Sequence, residues 1–359
     1  ADFQNGFAFK SSDWSYTGKP IIRIQNLTNS SNNINKTKVR VDSKYEVEKG
    51  DLLISWSATI GVFIWDGPSA LLNQHIFLVK PKKEILKKYL YFLGLKIKER
   101  IQDKVHGNTM THITKEKFLD IEIPLPSLEI QQKLVDELDN YQQIIDGCKK
   151  VIKNYKPIIN INKSWDLIKL GELFDFQNGY AFKSSDFSNS GIQLIRMGNI
   201  KQGFFDINNK VVFLPYEFEE KYRKFILSEN DLIISMTGTT GKTDYGNVCK
   251  ITSGKFFLNQ RVGKFIKKSN IIHEQFFYYL TQTEFFRSRL FAKSSGGVRQ
   301  ANISGEAIKS IEIPIPDFLT QSKIAENIDN EVKIIKGNEK LINLTEIKIR
   351  EKLNNIWGN

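Results

Sequence analysis

Two cysteines, Cys148 and Cys249, are all that 359 residues contain, and they stand at unrelated positions. That excludes a disulfide framework and a cysteine-based zinc cluster, and it suits a reducing compartment. The four histidines, at 75, 106, 112 and 273, lack the spacing of a metal-binding helix. No apolar run approaches the roughly 18–20 residues that a membrane span needs, and no basic-then-apolar signal segment opens the chain, so a cytoplasmic location with no membrane contact is expected. The segment Thr237-Gly-Thr-Thr-Gly-Lys-Thr243 imitates a phosphate-binding loop, but Met236 stands where that loop needs its first glycine. A nucleophile elbow, a paired carboxylate and an AdoMet-binding loop are also missing, so the chain reads as a binder and not as an enzyme, with no catalytic residue and no metal or cofactor of its own.

Positive charge is in excess: 52 Lys and Arg against 40 Asp and Glu give a net charge of +12, with 12% aromatic residues. This balance suits a polyanionic partner, nucleic acid first.

The chain is written twice. Asp2-Phe-Gln-Asn-Gly-Phe-Ala-Phe-Lys-Ser-Ser-Asp13 recurs as Asp175–Asp186 with one change, Phe7 to Tyr180. Ile22-Arg23 returns as Ile195-Arg196, Asp51–Ser55 as Asp231–Ser235, and Leu72-Asn-Gln-His75 as Leu258-Asn-Gln-Arg261. Ile121-Glu-Ile-Pro-Leu-Pro126 returns as Ile311-Glu-Ile-Pro-Ile-Pro316, with Gln131 matched by Gln321. Because the offset grows only between blocks, insertions lie in loops and the framework is kept. Two similar modules with unlike loops are expected to read two different things.

Within each copy, short β-rich runs (51–56, 61–65, 76–79, 210–214) are bounded by turn formers, and 87–102 and 274–291 show helical spacing. Each module is therefore expected to be α/β and strand-rich. After each Pro-x-Pro, Ser127 or Asp317 can cap a long helix. Ile130, Leu134, Leu138, Tyr141, Ile145, Cys148, Ile152, Tyr155 and Ile159 make a coiled-coil seam. In the second copy the seam runs through Ile324, Ile328, Ile335, Ile342 and Ile349, interrupted by Asn338 and Thr345. Helices of about 35 residues would reach about 50 Å, and pairing them as an antiparallel coiled coil buries both seams. The expected boundaries are a first module at 1–126, a central helix at 127–163, a second module at 164–316 and a C-terminal helix at 317–359.

Taken in order, and twice, these blocks carry a resemblance. They are Trp165-x-x-Ile-Lys-Leu-Gly-Glu-Leu173, Gly50-Asp-Leu-Leu-Ile-Ser55, Gly238-Thr-Thr-Gly241, Leu258-Asn-Gln260, Gln300-x-Asn-Ile-Ser304 and the Ile-Glu-Ile-Pro-x-Pro exit with its Gln. Across nearly its whole length the chain resembles the specificity subunits of type I restriction-modification systems. The resemblance implies two target recognition domains, each reading one half of a bipartite, asymmetric double-stranded DNA site, with the helix pair setting the gap. It further implies two adenine methyltransferase subunits docked on the helices and restriction/translocase subunits joining them, with AdoMet, ATP and Mg in those partners. The alternatives are the DNA-reading subunit of a type IIB-like system, and an adaptor whose modules bind protein. Weak DNA binding without salt dependence would favour the adaptor. One departure is that only Ala1 precedes Asp2, so the counterpart of Trp165–Phe174 is expected either to have been trimmed from the first copy or to come from elsewhere. The chain ends near where a third opening would start, so its termini are expected to lie close together.

Arg, Asn and Gln read base edges, while Lys, Ser and Thr take phosphates. The DNA-contact candidates are Lys10, Arg23, Asn26, Ser57, Thr59, Gln74, His75, Asn108 and Thr109 in the first module. In the second they are Lys183, Arg196, Asn199, Thr237, Thr239, Thr240, Lys242, Gln260, Arg261, Arg299 and Gln300. Arg23 and Arg196, being identical in the two copies, suit a framework role; Arg299-Gln300, set against Thr109-Met110, is the sharper candidate for specificity.

Overall fold

The structure, a computed structural model, describes residues 1–28, 33–57, 60–105, 120–239, 241–296 and 300–357. It divides into two compact units: unit 1 is Ala1–Lys153 with Gly337–Asn359, and unit 2 is Asn154–Lys336. Tandem strand-rich α/β domains are joined to two long helices.

Unit 1 is built on an antiparallel sheet in the order Asp2–Asn5, Ile76–Lys80, Leu52–Ser55, Gly61–Ile64. Unit 2 repeats it with Phe174–Asn178, Val262–Lys267, Leu232–Ser235 and Val248–Lys250. A second small sheet also recurs. Lys19–Ile22 runs parallel to Ala70–Leu72 in unit 1, and Ile192–Ile195 runs parallel to Phe256–Leu258 in unit 2.

The central strands read as unbroken apolar runs because both faces are covered. Leu52 and Ile54 face the helix Lys87–Val105 through Tyr89, Phe92 and Leu93, while Leu53 joins Ile22, Val47 and Trp65 on the other side. In unit 2, Leu232 and Ile234 meet Phe276 and Phe277, and Ile233 packs with Ile195 and Leu258. Alternation along a strand sends successive side chains to opposite faces, so one run of sequence serves two cores.

The helix expected over 274–291 is two helices, Glu274–Leu280 and Glu284–Ala292. Thr283 breaks it: its hydroxyl accepts from the Phe286 N–H and donates to the Leu280 carbonyl, capping the second helix and closing the first. The strand expected over 210–214 shrinks to Phe213–Leu214, and Lys210 takes a left-handed φ of 46°.

The first long helix spans Leu128–Asn154 and the second Phe318–Trp357. Ser127 and Asp317 cap them, accepting from Ile130 N–H and Thr320 N–H. Within unit 1 they run antiparallel, since Glu137 pairs with Lys352 at 2.5 Å and Lys149 with Glu346 at 4.0 Å. Leu138, Ile145 and Cys148 lie buried on the seam as expected, but Ile130 is half exposed and Val135 is buried instead. Tyr155 and Ile159 fall beyond the helix, which stops ahead of Pro157 because a residue before proline avoids helical backbone. Thr345, on the second seam, is buried, and its hydroxyl donates to the Leu341 carbonyl. No described helix is long and apolar enough to cross a membrane.

A buried glutamine ties each long helix to its own domain. Gln131 accepts from Leu86 N–H and donates to the carbonyls of Glu84 and Pro126, all at 2.9 Å. Gln321 accepts from His273 N–H and donates to Ile271 and Pro316, all at 2.8 Å.

Candidate nucleic-acid interface

In unit 2 a relay of backbone hydrogen bonds gathers several loops at one end of the sheets. Asn259 N–H donates to Ile195 O, Gln260 N–H to Tyr180 O, and Met236 N–H to Arg261 O. Beyond Met236 the chain enters a ribbon in which Thr237–Thr239 pairs with Gln300–Asn302. Arg196, Gln260 and Arg261 are thereby brought to one end, exposed, beside the ribbon that carries exposed Thr239 and its neighbour Lys242.

Unit 1 repeats the relay bond for bond. Asn73 N–H donates to Ile22 O, Gln74 N–H to Phe7 O, and Trp56 N–H to His75 O. Arg23, Gln74, His75 and Ser57 occupy the corresponding end and are half buried. The Gln74 amide nitrogen lies 3.1 Å from His75 Nε2, and the Trp56 ring meets the imidazole edge-on at 5.7 Å. The Arg23 guanidinium sits 5.1 Å over the Trp14 ring.

The turn after Thr239 is held by charge. Both Thr239 N–H and its hydroxyl donate to the Asp244 carboxylate at 2.8 Å, and the backbone bond first, then the hydroxyl, pull that carboxyl below its usual pKa. Arg287, on the helix Glu284–Ala292, clamps the same turn from behind. It donates to Thr243 O at 3.1 Å, Asn247 Oδ1 at 3.3 Å and Gln202 Oε1 at 2.7 Å, and stacks 4.9 Å from the Phe291 ring. Arg287, Gln202 and Asp244 were not among the sequence candidates. An arginine set between Phe286 and Phe291 on a helix was the available signal for the first of them.

Several candidates are placed in the framework. Asn199 is 1% exposed, accepts from Arg196 N–H, and donates to Asp206 O and Asn209 O. Asn26 is buried likewise, accepts from Arg23 N–H and donates to Asn33 O. With their amides spent on backbone, these two shape a loop and present nothing to a base. Thr237 is buried too, its hydroxyl donating to Asn302 Oδ1 at 2.9 Å. Lys10 and Lys183 are exposed, each leading a short 3-10 turn closed by the following Asp13 or Asp186. Thr59, Asn108, Thr109, Thr240 and Arg299, together with Met110, lie outside the described residues. Of Gln300 only the backbone is described, paired with Thr239.

Comparison with known proteins gives one consistent result. Residues 1–154 and 162–346 match the family model described as the type I restriction modification DNA specificity domain. The chain is 29% identical, over 86% of its length and 79% of the relative's, to the type I restriction enzyme MjaVIII specificity subunit of Methanocaldococcus jannaschii. It is 22% identical to the EcoBI specificity subunit of Escherichia coli, covering 96% of this chain and 80% of that one. A solved chain described under complex assembly and conformational transition of the type I R-M system shares the fold at a TM-score of 0.50 and 13% identity. That alignment covers 87% of this chain and 81% of the other.

Proposed function

The chain belongs to the family of type I restriction modification DNA specificity domains, and from that premise we propose that it is the sequence-reading subunit of a type I restriction-modification complex. Each unit reads one half of a bipartite, asymmetric site in double-stranded DNA. The two long helices set the unread gap and seat two adenine methyltransferase subunits, which restriction/translocase subunits join. The chain itself is non-catalytic and cytoplasmic; AdoMet, ATP and Mg act in the partner subunits.

One observation carries this reading: the same backbone relay ends each unit, yet it presents Gln74-His75 in one and Gln260-Arg261 in the other. A shared scaffold with unlike side chains is what reading two unlike half-sites requires. Arg261, exposed and unconstrained by burial, suits a guanine edge, and Gln260 suits adenine. Lys242, Lys183 and Lys10 suit phosphates, which carry affinity but no sequence information.

Methylome sequencing tests the proposal. Cells expressing this subunit with its methyltransferase should show a split, adenine-methylated motif, and substitution of Gln260 and Arg261 by alanine should relax one half only. Absence of any motif, together with DNA binding insensitive to salt, would refute the reading in favour of a protein-binding adaptor.

A further inference from the structure

Arg23 and Arg196 stand at the same point of the two relays, one residue past the Ile22 or Ile195 carbonyl that accepts the Asn73 or Asn259 N–H. An asparagine three residues on fixes each backbone: Arg23 N–H donates to Asn26 Oδ1 at 3.1 Å, and Arg196 N–H to Asn199 Oδ1 at 2.9 Å. In unit 1 the side chain is held as well. Its guanidinium lies 5.1 Å over the Trp14 ring, which is 42% exposed and follows the short 3-10 turn Ser11–Asp13. Trp14 N–H donates to Ser11 O at 3.3 Å and Ser15 N–H to Lys36 O at 2.8 Å, so backbone bonds fix the ring's place in the loop.

The charge of Arg23 is left unspent. The Asp13 carboxylate beside Trp14 accepts from Lys10 N–H at 2.7 Å, and among the described residues the Arg23 guanidinium donates no hydrogen bond and meets no carboxylate. A half-buried arginine, held at its backbone and over its guanidinium with its donors unused, is a preorganised site for an anion. The repeat says which anion. Gln74-His75 and Gln260-Arg261 differ between the relays, whereas Arg-x-x-Asn is kept at 23–26 and 196–199, and an aromatic residue nine positions earlier is kept as Trp14 or Phe187. Side chains that differ suit what differs between two half-sites; side chains that are kept suit what every duplex shares, its phosphates.

We propose that Arg23, seated by Trp14, and Arg196 each grip a DNA phosphate and set the register of their units without reading a base. This deepens the DNA-reading assignment and rests on it. Trp14 is a positioning residue: its ring holds the planar guanidinium, whose fork matches two phosphate oxygens.

The test is a salt titration of the full chain on mixed-sequence duplex DNA, read by fluorescence anisotropy, beside methylome sequencing with the same variants. Arg23→Gln and Arg196→Gln should each lower the slope of log K against log salt by about 0.9, and the two together by about 1.8, since each phosphate contact supplies about 0.9. The methylated motif should keep both halves. Arg23→Lys should hold the slope, because lysine still neutralises a phosphate. Trp14→Ala should hold it too, yet weaken binding by roughly two- to fivefold, the factor of an exposed cation–π contact, and Trp14→Phe should recover part of that loss. An unchanged slope for both glutamine variants, or a motif relaxed at one half by either, would overturn the proposal and leave the DNA-reading assignment standing. So would loss of amide-exchange protection at Asn73 or Asn259 in those variants, which would make the arginines part of the framework. A slope near zero for the unaltered chain would overturn both readings.

Discussion

Gln321→Leu should destabilise unit 2, because this one side chain bonds three backbone groups. Its Oε1 accepts from His273 N–H, and its Nε2 donates to the carbonyls of Ile271 and Pro316, each at 2.8 Å, with the residue 0% exposed. Leucine has similar bulk and keeps the helix, so the buried Pro316 carbonyl and the half-buried His273 N–H lose their bonds, while the Ile271 carbonyl, on an exposed residue, can turn to water. Each unsatisfied group costs about 1–3 kcal/mol, and easier burial of leucine returns roughly 1.5–3 kcal/mol. For the two partners kept from water the mid-range balance is a loss of about 2 kcal/mol, against a typical domain stability of about 5–15 kcal/mol. Urea titration read by hydrogen exchange, which separates the two units, should show unit 2 opening at lower urea with unit 1 unmoved. Gln321→Glu sharpens the test. It keeps the acceptor but turns a carboxylate toward two carbonyls, which raises its folded pKa, so the variant should regain stability below the ordinary glutamate pKa and lose it as pH rises through the folded value. A loss under about 1 kcal/mol for Gln321→Leu would refute the claim that this glutamine holds the helix to the domain.

Gln131→Leu should mirror that loss in unit 1, with exchange at Leu86 N–H rising first, because its three partners repeat those of Gln321. Arg287→Gln should free the turn at 239–247 and weaken DNA binding by roughly tenfold, the effect of losing charge-assisted bonds, measured by faster exchange at Lys242 N–H and by titration with site DNA. An unchanged turn would remove Arg287 from the reading apparatus. The Asp244 carboxyl, held below its usual pKa by Thr239, keeps the turn closed above the ordinary aspartate range. Acidification through its depressed value should release the turn, visible as a shift of the Thr239 amide resonance with a midpoint below about 3.9. Arg261→Ala should leave stability within about 0.5 kcal/mol, as an exposed position does, yet relax the second half-site in the methylome.

The duplicated framework was legible because its signals are local. Leu52-Leu53-Ile54 and Leu232-Ile233-Ile234 are apolar throughout and short, and their flanking Gly, Asn and Asp turn formers mark them as strands, which the structure covers on both faces. The helix caps at Ser127 and Asp317 and most of the seam were readable for the same reason. The polar loops were not. Asn199 and Arg196 look equally fit to touch DNA in sequence, and what buries the asparagine is a pair of carbonyls seven and ten residues on. A clue was present, for Arg-x-x-Asn recurs unchanged at 23–26 and 196–199, and residues that tell half-sites apart should differ between copies. The break at Thr283 was hidden by the aromatic periodicity on both sides of it. The Arg287 clamp was hidden by distance, its partners lying 40 to 85 residues away.

The two relay-bearing ends, proposed above as the reading surfaces, share their backbone but not the seating of their side chains. In unit 1 the Trp56 ring packs 5.8 Å from Phe77 at an interplanar angle of 27° and meets His75 edge-on, so the imidazole is seated by an aromatic neighbour that the core itself holds. In unit 2 the position of Trp56 belongs to buried Met236, which donates to Arg261 O and accepts from Ile303 N–H but leaves the guanidinium free in solvent. A histidine placed at 261 would therefore have no ring to orient it, and an arginine at 75 would meet the Trp56 face. Under the proposed function, the residue at 75 or 261 and the one at 56 or 236 that lies beside it form a unit, and exchanging the pairs 56 with 75 and 236 with 261 together is the smallest transfer consistent with this geometry.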